Sequence, residues 1–296
     1  MTYRFNSISE YLKEHFGCKT IKLGIDGGFT CPNRDGTKGV GGCIFCSETG
    51  SGEFTSDIED QIRLYSDKWP NAKYLGYFQN HTNTYDSAEN LRKKYYEILN
   101  NPKIEGLVIG TRPDCLDEDI LDLLSEINEK YFIWVELGLQ TIHDETAKLI
   151  NRCYDLAVFN EAMENLKARG IKTVVHLILG LPGETEDMML ESVRYVGNMH
   201  PFGMKLHLLN VVKGSTMEKE FPDYVSFSSI DEYVNLVVRC LEIIPEDVTI
   251  HRLTGDAPRN ILISPVWSFN KRTILNGINE RLNLLDTRQG KKYEEY

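Results

Sequence analysis

Three cysteines near the N-terminus, Cys31, Cys43 and Cys46, stand as C-x11-C-x2-C in the stretch GFTCPNRDGTKGVGGCIFCSETGSGEF. A Cys-x-x-Cys step lets two thiolates reach one metal centre, and the many glycines around it let backbone come close without a Cβ in the way. Three thiolates without a fourth suit a [4Fe–4S] cluster that keeps one iron open, since complete protein ligation takes four. A zinc ion with Cys18 or His81 as fourth ligand is the other reading, although structural zinc sites tend to draw on two paired steps and only one pair stands here. A redox pair at Cys43/Cys46 fits less well: such a step opens a helix, and Gly41-Gly42 precede it.

A metal loop needs a scaffold to aim it. Short β-rich runs at 20–26, 73–79, 105–110, 131–139, 172–179 and 204–212 alternate with segments of helical periodicity at 57–69, 86–100, 117–129, 143–169, 184–199 and 229–243. That alternation means βαβ units and a parallel sheet. Six units are too few for a closed eightfold barrel, and they suit a partial (β/α)6 TIM-like barrel or a doubly wound sheet. Residues 248–252 add a candidate strand and 268–285 a last amphipathic helix. The expected division is a core over 1–250, with a short N-terminal extension, and a C-terminal extension over 251–296 packed on it. In parallel α/β folds the chemistry sits at the carboxyl ends of the strands.

The chain has 296 residues, 41% hydrophobic, enough for a large core and against wholesale disorder. No apolar run approaches the roughly 18 residues that span a bilayer, and the first residues lack the apolar stretch of a secretion signal. Seven cysteines at irregular spacing do not make a secreted disulfide framework, so a reducing cytoplasm is expected. A net charge of −11 argues against a protein that coats DNA or RNA nonspecifically. The acid excess lies in the middle: residues 1–50 carry six Lys/Arg against five acids, and residues 255–296 seven against five. The two ends are therefore the expected face for an anionic partner.

Each strand end carries a motif. FQNHTNTY (78–85), GTRPDCL (110–116), ELGLQT (136–141), GLPGET (180–185), LNVVKGSTM (209–217) and HRLTGDAP (251–258) follow the strands in order. Together with the cysteine loop they resemble the radical S-adenosylmethionine (SAM) superfamily, in the branch shared by the elongator catalytic subunit and the YhcC/YtqA-type proteins. The resemblance implies that Cys31, Cys43 and Cys46 ligate a [4Fe–4S] cluster whose fourth iron is chelated by SAM. One electron, from a donor such as flavodoxin or ferredoxin, then cleaves SAM to a 5′-deoxyadenosyl radical that takes hydrogen from a substrate. It also implies tRNA as the substrate, with conversion of a 5-carboxymethylaminomethyl group on wobble uridine to 5-aminomethyl. The acetyltransferase domain of the elongator subunit is missing here. The rivals are a radical SAM enzyme acting on a tetrapyrrole and a non-enzymatic zinc or cluster module.

The same resemblance marks candidate residues. Phe45 would lie against adenine, or pack the loop. Gly180, Pro182 and Gly183 form a turn beside SAM, or a cap for the next helix. Glu136 and Gln140 alternate inward on one strand, where SAM or water must satisfy them. Gln79, Asn83 and Thr84 either contact methionine or substrate, or build a turn into the helix at Asp86. Leu209 and Val211 complete the cofactor set. Arg112 either binds a carboxylate or phosphate, or pairs with Asp114 or Glu136. His176 points inward as a substrate contact, and Cys153, in INRCYD, is a candidate catalytic thiol. Arg252 and Asp256 close the open side of the barrel or touch substrate. Cys115, Cys153 and Cys240 otherwise read as packing.

Overall fold

The computed structural model describes residues 4–47, 50 and 55–294. Seven parallel strands form one sheet: β1 (Thr20–Ile25), β2 (Lys73–Phe78), β3 (Ile104–Thr111), β4 (Phe132–Gln140), β5 (Lys172–Leu179), β6 (Gly203–Leu208) and β8 (Thr249–Arg252). Their spatial order follows chain order, β1-β2-β3-β4-β5-β6-β8. A sheet wound in one direction, with each crossover on the same face, curls into an open barrel. The partial-barrel expectation is met, with 248–252 as its seventh strand. The pair β7 (Val211–Val212) and β9 (Leu262–Ser264) forms a separate antiparallel ribbon at the carboxyl end.

The outer helices are α2 (Ile58–Ser66), α3 (Ala88–Leu99), α4 (Glu118–Asn128), α5 (Asp144–Leu149), α6 (Leu156–Ala168), α7 (Glu186–Gly197) and α9 (Ile230–Ile243), with α8 (Thr216–Glu220) a short turn after β7 and α10 (Lys271–Leu284) packed on α9. Their starts are fixed by side-chain caps that accept from otherwise unpartnered backbone N–H groups, among them Asp57, Asp117, Thr185 and Ser229. For α3 the cap is Ser87, one residue beyond the expected Asp86. The single helix expected over 143–169 is two, because Asn151 and Cys153 take positive φ (53° and 61°) and break it. The strand expected over 204–212 likewise ends at Leu208 and restarts as β7.

Two cores result. The larger lies between sheet and helices, from Leu23 and Phe78 through Val135 and Val175 to Leu206 and Leu241. The smaller fills the floor of the lumen with Leu75, Val108, Trp134 and Val174. Helix α1 (Ile8–Phe16) plugs that floor from below with Leu12, Tyr11 and Phe16. It also touches both edge strands, β1 and β8, and Ser7 bridges to Ile250. The open barrel is thus closed at its amino end and open at the carboxyl end, where the motifs lie.

Candidate active site

The loop after β1 brings Cys31, Cys43 and Cys46 to the carboxyl end of the sheet, where all three line one cleft of about 840 Å³ including its open mouth. Backbone, amide and cationic side chains hold the loop, and of its thiols Cys43 Sγ accepts from Asn33 Nδ2 at 3.6 Å. Asn33, fully buried, donates from Nδ2 to the Asn151 carbonyl at 2.6 Å, and Asn151 donates back to the carbonyls of Val40 (3.0 Å) and Gly42 (2.8 Å). Ile44 N–H donates to Ile150 and Met217 N–H to Ile44, so the loop is stitched to the turn between α5 and α6 and to α8. Gly39 is required there: a Cβ would stand 2.0 Å from Asn33 Oδ1. The turn that breaks the expected long helix is the buttress of the cysteine loop.

The donor set fits a polynuclear iron centre. Burial, and then the neighbouring Cys46, push the Cys43 thiol up to about 12, with Cys31 adding to the shift and Arg112 opposing it. Three thiolates in one buried cleft repel one another and settle only around a positive centre. Among the described residues no three His, Cys, Asp or Glu converge on a single ion. Cys18 precedes β1, at the opposite end of a strand roughly 20 Å long, and so is no fourth ligand for a zinc ion. His81 lines the same cleft, with its Nδ1 buried and unpartnered among the described residues.

A second, wider cleft of about 1010 Å³ opens beside the first and shares Phe45, Tyr77, Gln79, Gln140 and His176 with it. Beneath this junction lies a buried charge network centred on Glu136, which is 1% exposed. Its Oε2 accepts from Tyr77 Oη at 2.6 Å, from Lys205 Nζ and from His176 Nε2 at 3.0 Å. Its Oε1 accepts from Trp134 Nε1 at 3.1 Å, and Lys22 Nζ stands 3.8 Å away. Lys205 donates also to Tyr77 Oη at 3.0 Å. Burial alone would raise the Glu136 carboxyl; Lys205 and Lys22 overcome it and hold the group well below its ordinary range, as an anion.

The expected site residues divide. Phe45, Gln79, Glu136, Gln140, Leu209, Arg112 and His176 line one or both clefts. Asn83 and Thr84 do not. Asn83 Nδ2 bonds the carbonyls of Phe78 and Gly110, and Thr84 Oγ1 bonds Thr111 and the Cys115 carbonyl, so both are fully buried braces between strand ends. Gly180 (φ 89°) gives room to the chain itself, not to a ligand: a Cβ would lie 2.7 Å from Ser226 and 2.8 Å from the Phe227 ring, and its carbonyl accepts from Tyr224 Oη. Pro182, Gly183 and Val211 line neither cleft; Val211 packs with Ile44, Leu181 and Met217 beneath the cysteine loop. Cys153 is exposed, donates to Asn151 Oδ1 at 3.1 Å and lines neither cleft; it is neither packing nor placed for catalysis. Arg112 is committed: its Nε and Nη2 fork onto both Asp114 oxygens at 2.9 Å, and Nη1 donates to the Arg152 carbonyl.

Sequence reading passed over Lys205, Lys22, Tyr77 and Arg152. For Lys205 the signal was present, a lysine two residues before His207 in an otherwise apolar strand, hence on the same face. The basic ends it singled out divide between the two ends of the barrel. Arg4, Arg288 and Lys292 lie at the amino ends of the strands and are paired with Asp286, Glu246 and Glu242. The exposed cations at the mouth are Lys213 and Arg259, which flank Ile261 at the edge of the wider cleft.

The lumen histidines give the fold an acid limit. Burial, and then Lys205, push His176 down to about 4 against the opposing pull of Glu136; burial also lowers His207 and His251 well below their ordinary value. Each ring is neutral when folded, whereas the unfolded chain binds protons near 6.5. The stabilisation is therefore full above about pH 6.5 and lost as pH falls toward 4, about 3 kcal/mol for His176 alone. Urea midpoints should fall steeply between about pH 6.5 and 4.5, and His176→Gln should flatten the slope by close to one proton. A midpoint unchanged across that window would refute this.

Comparison with known proteins shows the family. The radical SAM superfamily model matches residues 31–196 and the radical SAM C-terminal domain model residues 201–283. The chain belongs to the radical SAM superfamily. It is 44% identical to uncharacterized protein YtqA of Bacillus subtilis, over 98% of this chain and 93% of that one, and 37% identical to protein YhcC of Escherichia coli, over 92% and 90%. Among solved structures it is similar to the archaeal Methanocaldococcus infernus Elp3, with a TM-score of 0.67 at 18% identity, over 91% of this chain and 64% of that one. That likeness is one of fold.

Proposed function

We propose that this chain is a SAM-cleaving enzyme that holds a [4Fe–4S] cluster on Cys31, Cys43 and Cys46 and acts on a modified wobble uridine of tRNA, turning a 5-carboxymethylaminomethyl group into 5-aminomethyl. The observation that carries the reading is the meeting of two clefts, one lined by three thiols and one by polar and cationic side chains, across a shared wall. Cluster and SAM together supply a 5′-deoxyadenosyl radical, and the chain's own residues position and shield what it attacks. Phe45 and Leu209 offer apolar surface to adenine, while Gln79 and Gln140, at the junction, offer polar atoms to the rest of SAM. His176, held neutral by burial and oriented by Glu136, faces the substrate side.

Wobble uridine suits the architecture. An anticodon base is single-stranded and can be turned out into a pocket at the end of a barrel. Lys213 and Arg259 at the mouth are placed to meet its flanking phosphates, and the motif order resembles that of the elongator catalytic subunit. Hydrogen abstraction from the methylene between amine and carboxylate, loss of a second electron to a one-electron acceptor and hydrolysis of the resulting imine would release the two carbons as glyoxylate and leave the 5-aminomethyl group. Among the described residues no helix is long and apolar enough to cross a membrane. We place the chain in the cytoplasm, with a flavodoxin or ferredoxin as electron donor.

The test is mass analysis of tRNA nucleosides after anaerobic incubation with reconstituted protein, SAM and a reductant. The wobble nucleoside should become lighter by a carboxymethyl group, and 5′-deoxyadenosine should accumulate in parallel. Unchanged wobble uridine with active SAM cleavage would remove tRNA as substrate. A slope near zero in log affinity against log salt would do so too, since each phosphate met by a cation contributes about −0.7 for single strands.

A further inference from the structure

The wider cleft holds more positive charge than its acids balance. Lys205 and Arg252 form its floor, with Lys22 beside them, and the carboxylates facing these three are Glu136 and Asp256. Glu136 is already saturated by Tyr77, Trp134, His176 and Lys205. Asp256 gives its Oδ1 to Lys271, leaving Arg252 one hydrogen bond, from Nη2 to Oδ2 at 3.5 Å. A guanidinium carries five donors in a planar fork, and this one, which lines the cleft, spends one of them on a side chain among the described residues. Beside it, His207 lines the same floor, its ring 4.9 Å from that of His176, and its Nε2 is buried without a partner among the described residues. At the rim the Asn210 Oδ1 is orphaned likewise. Buried polar atoms and cations left in this state are costly unless a ligand completes them.

We infer that the floor of the wider cleft is a receptor for a carboxylate of the substrate, seated between the Arg252 guanidinium and the His207 ring within reach of Lys205. A carboxylate matches the guanidinium fork with two parallel bonds and supplies the missing negative charge. A backbone phosphate diester does not qualify: it lies between two sugars and cannot descend into a lumen, whereas a carboxylate at the tip of a base substituent or small molecule can. The lowering of His207, by burial first and then by His176, Arg252 and Lys205 against the opposing pull of Glu136, runs the same way, since an anion here relieves it. This deepens the wobble-uridine reading by naming what grips the carboxymethyl group, yet it does not require that the substrate be tRNA.

The experiment uses anaerobically reconstituted protein with SAM and measures binding by calorimetry. Its probes are 5-carboxymethylaminomethyluridine against 5-aminomethyluridine, and N-benzylglycine against benzylamine, two pairs differing only in the carboxymethyl group. At least one pair should show a preference for the carboxylate of about tenfold or more, the scale of one charge-assisted bidentate contact. Arg252→Gln should erase that preference and Arg252→Lys should restore part of it, with thermal midpoints reporting that both variants are folded. Equal binding within both pairs, or a preference that survives Arg252→Gln, overturns the receptor. An Arg252-dependent preference for N-benzylglycine without one for the nucleoside upholds the receptor and removes wobble uridine. Conversion of wobble uridine whose KM is indifferent to Arg252→Gln does the reverse.

Discussion

The variant Cys31→Ala/Cys43→Ala/Cys46→Ala is expected to lose its iron and its SAM cleavage together while remaining folded. Wild-type protein, reconstituted without oxygen, should be brown, hold about four irons per chain and release 5′-deoxyadenosine under a reductant; the variant should be colourless and silent. Folding should survive because the loop is anchored by Asn33, Asn151 and the backbone bonds of Ile44 and Met217, none of which is a thiol. Burial keeps the Cys43 thiol uncharged in the apo protein, and the anchors of the loop are untouched, so the apo variant should be about as stable to urea as the apo wild type. Asn33→Ala is the complementary probe. It leaves every thiol in place yet cuts the bond to the Asn151 carbonyl, and it should lower iron occupancy without abolishing it. A wild-type protein that bound one zinc and no iron, or a triple variant that still cleaved SAM, would overturn the assignment.

Much of this site was legible because cysteine spacing and βαβ alternation are local signals. C-x11-C-x2-C after the first strand places three thiols on one loop, and the alternation places that loop at the ligand-binding end of the sheet. What stayed hidden depends on partners distant in sequence. Glu136 and Lys205 are 69 residues apart, on strands separated by β5, and nothing in either strand names the other. Glu136 therefore read as a group awaiting a ligand when the fold already satisfies it. Asn83, Thr84 and Gly180 show a related limit of local signals: polar or small residues at strand ends serve equally to bind a ligand and to brace neighbouring loops, and the packing shows the bracing. The basic termini divide on topology: the first and last residues meet at the amino end of the barrel, where Gln289 N–H donates to Arg4 and Ile250 N–H to Asn6, while Arg34 and Arg259 stand at the carboxyl end.

The Glu136–Lys205 pair is where a single substitution should cost the fold most. Lys205→Met keeps the length and apolar stem of the side chain but leaves the Glu136 carboxylate, with no accessible surface on its side chain, facing only Lys22 at 3.8 Å as a compensating cation. Stranding one member of a buried pair costs about 3–5 kcal/mol. Glu136→Gln should be costly in the opposite sense, because Lys205 then shares the lumen with Lys22 and Arg252 and no central anion. The double variant should recover much of both losses: neither new side chain carries a charge, and the amide that Glu136→Gln introduces still meets Tyr77 and Trp134. A double-mutant cycle from urea melts near pH 7.5 should therefore show a coupling of about 2–3 kcal/mol, the upper end for contacting residues. Additive losses would mean that the two charges are screened from each other and that the network does not hold the lumen. The functional consequence follows from His176, which takes its orientation from the same Glu136 oxygen that Lys205 neutralises. Glu136→Gln leaves that ring a weaker acceptor, so substrate KM should rise more than the rate of SAM cleavage falls, the signature of a positioning defect.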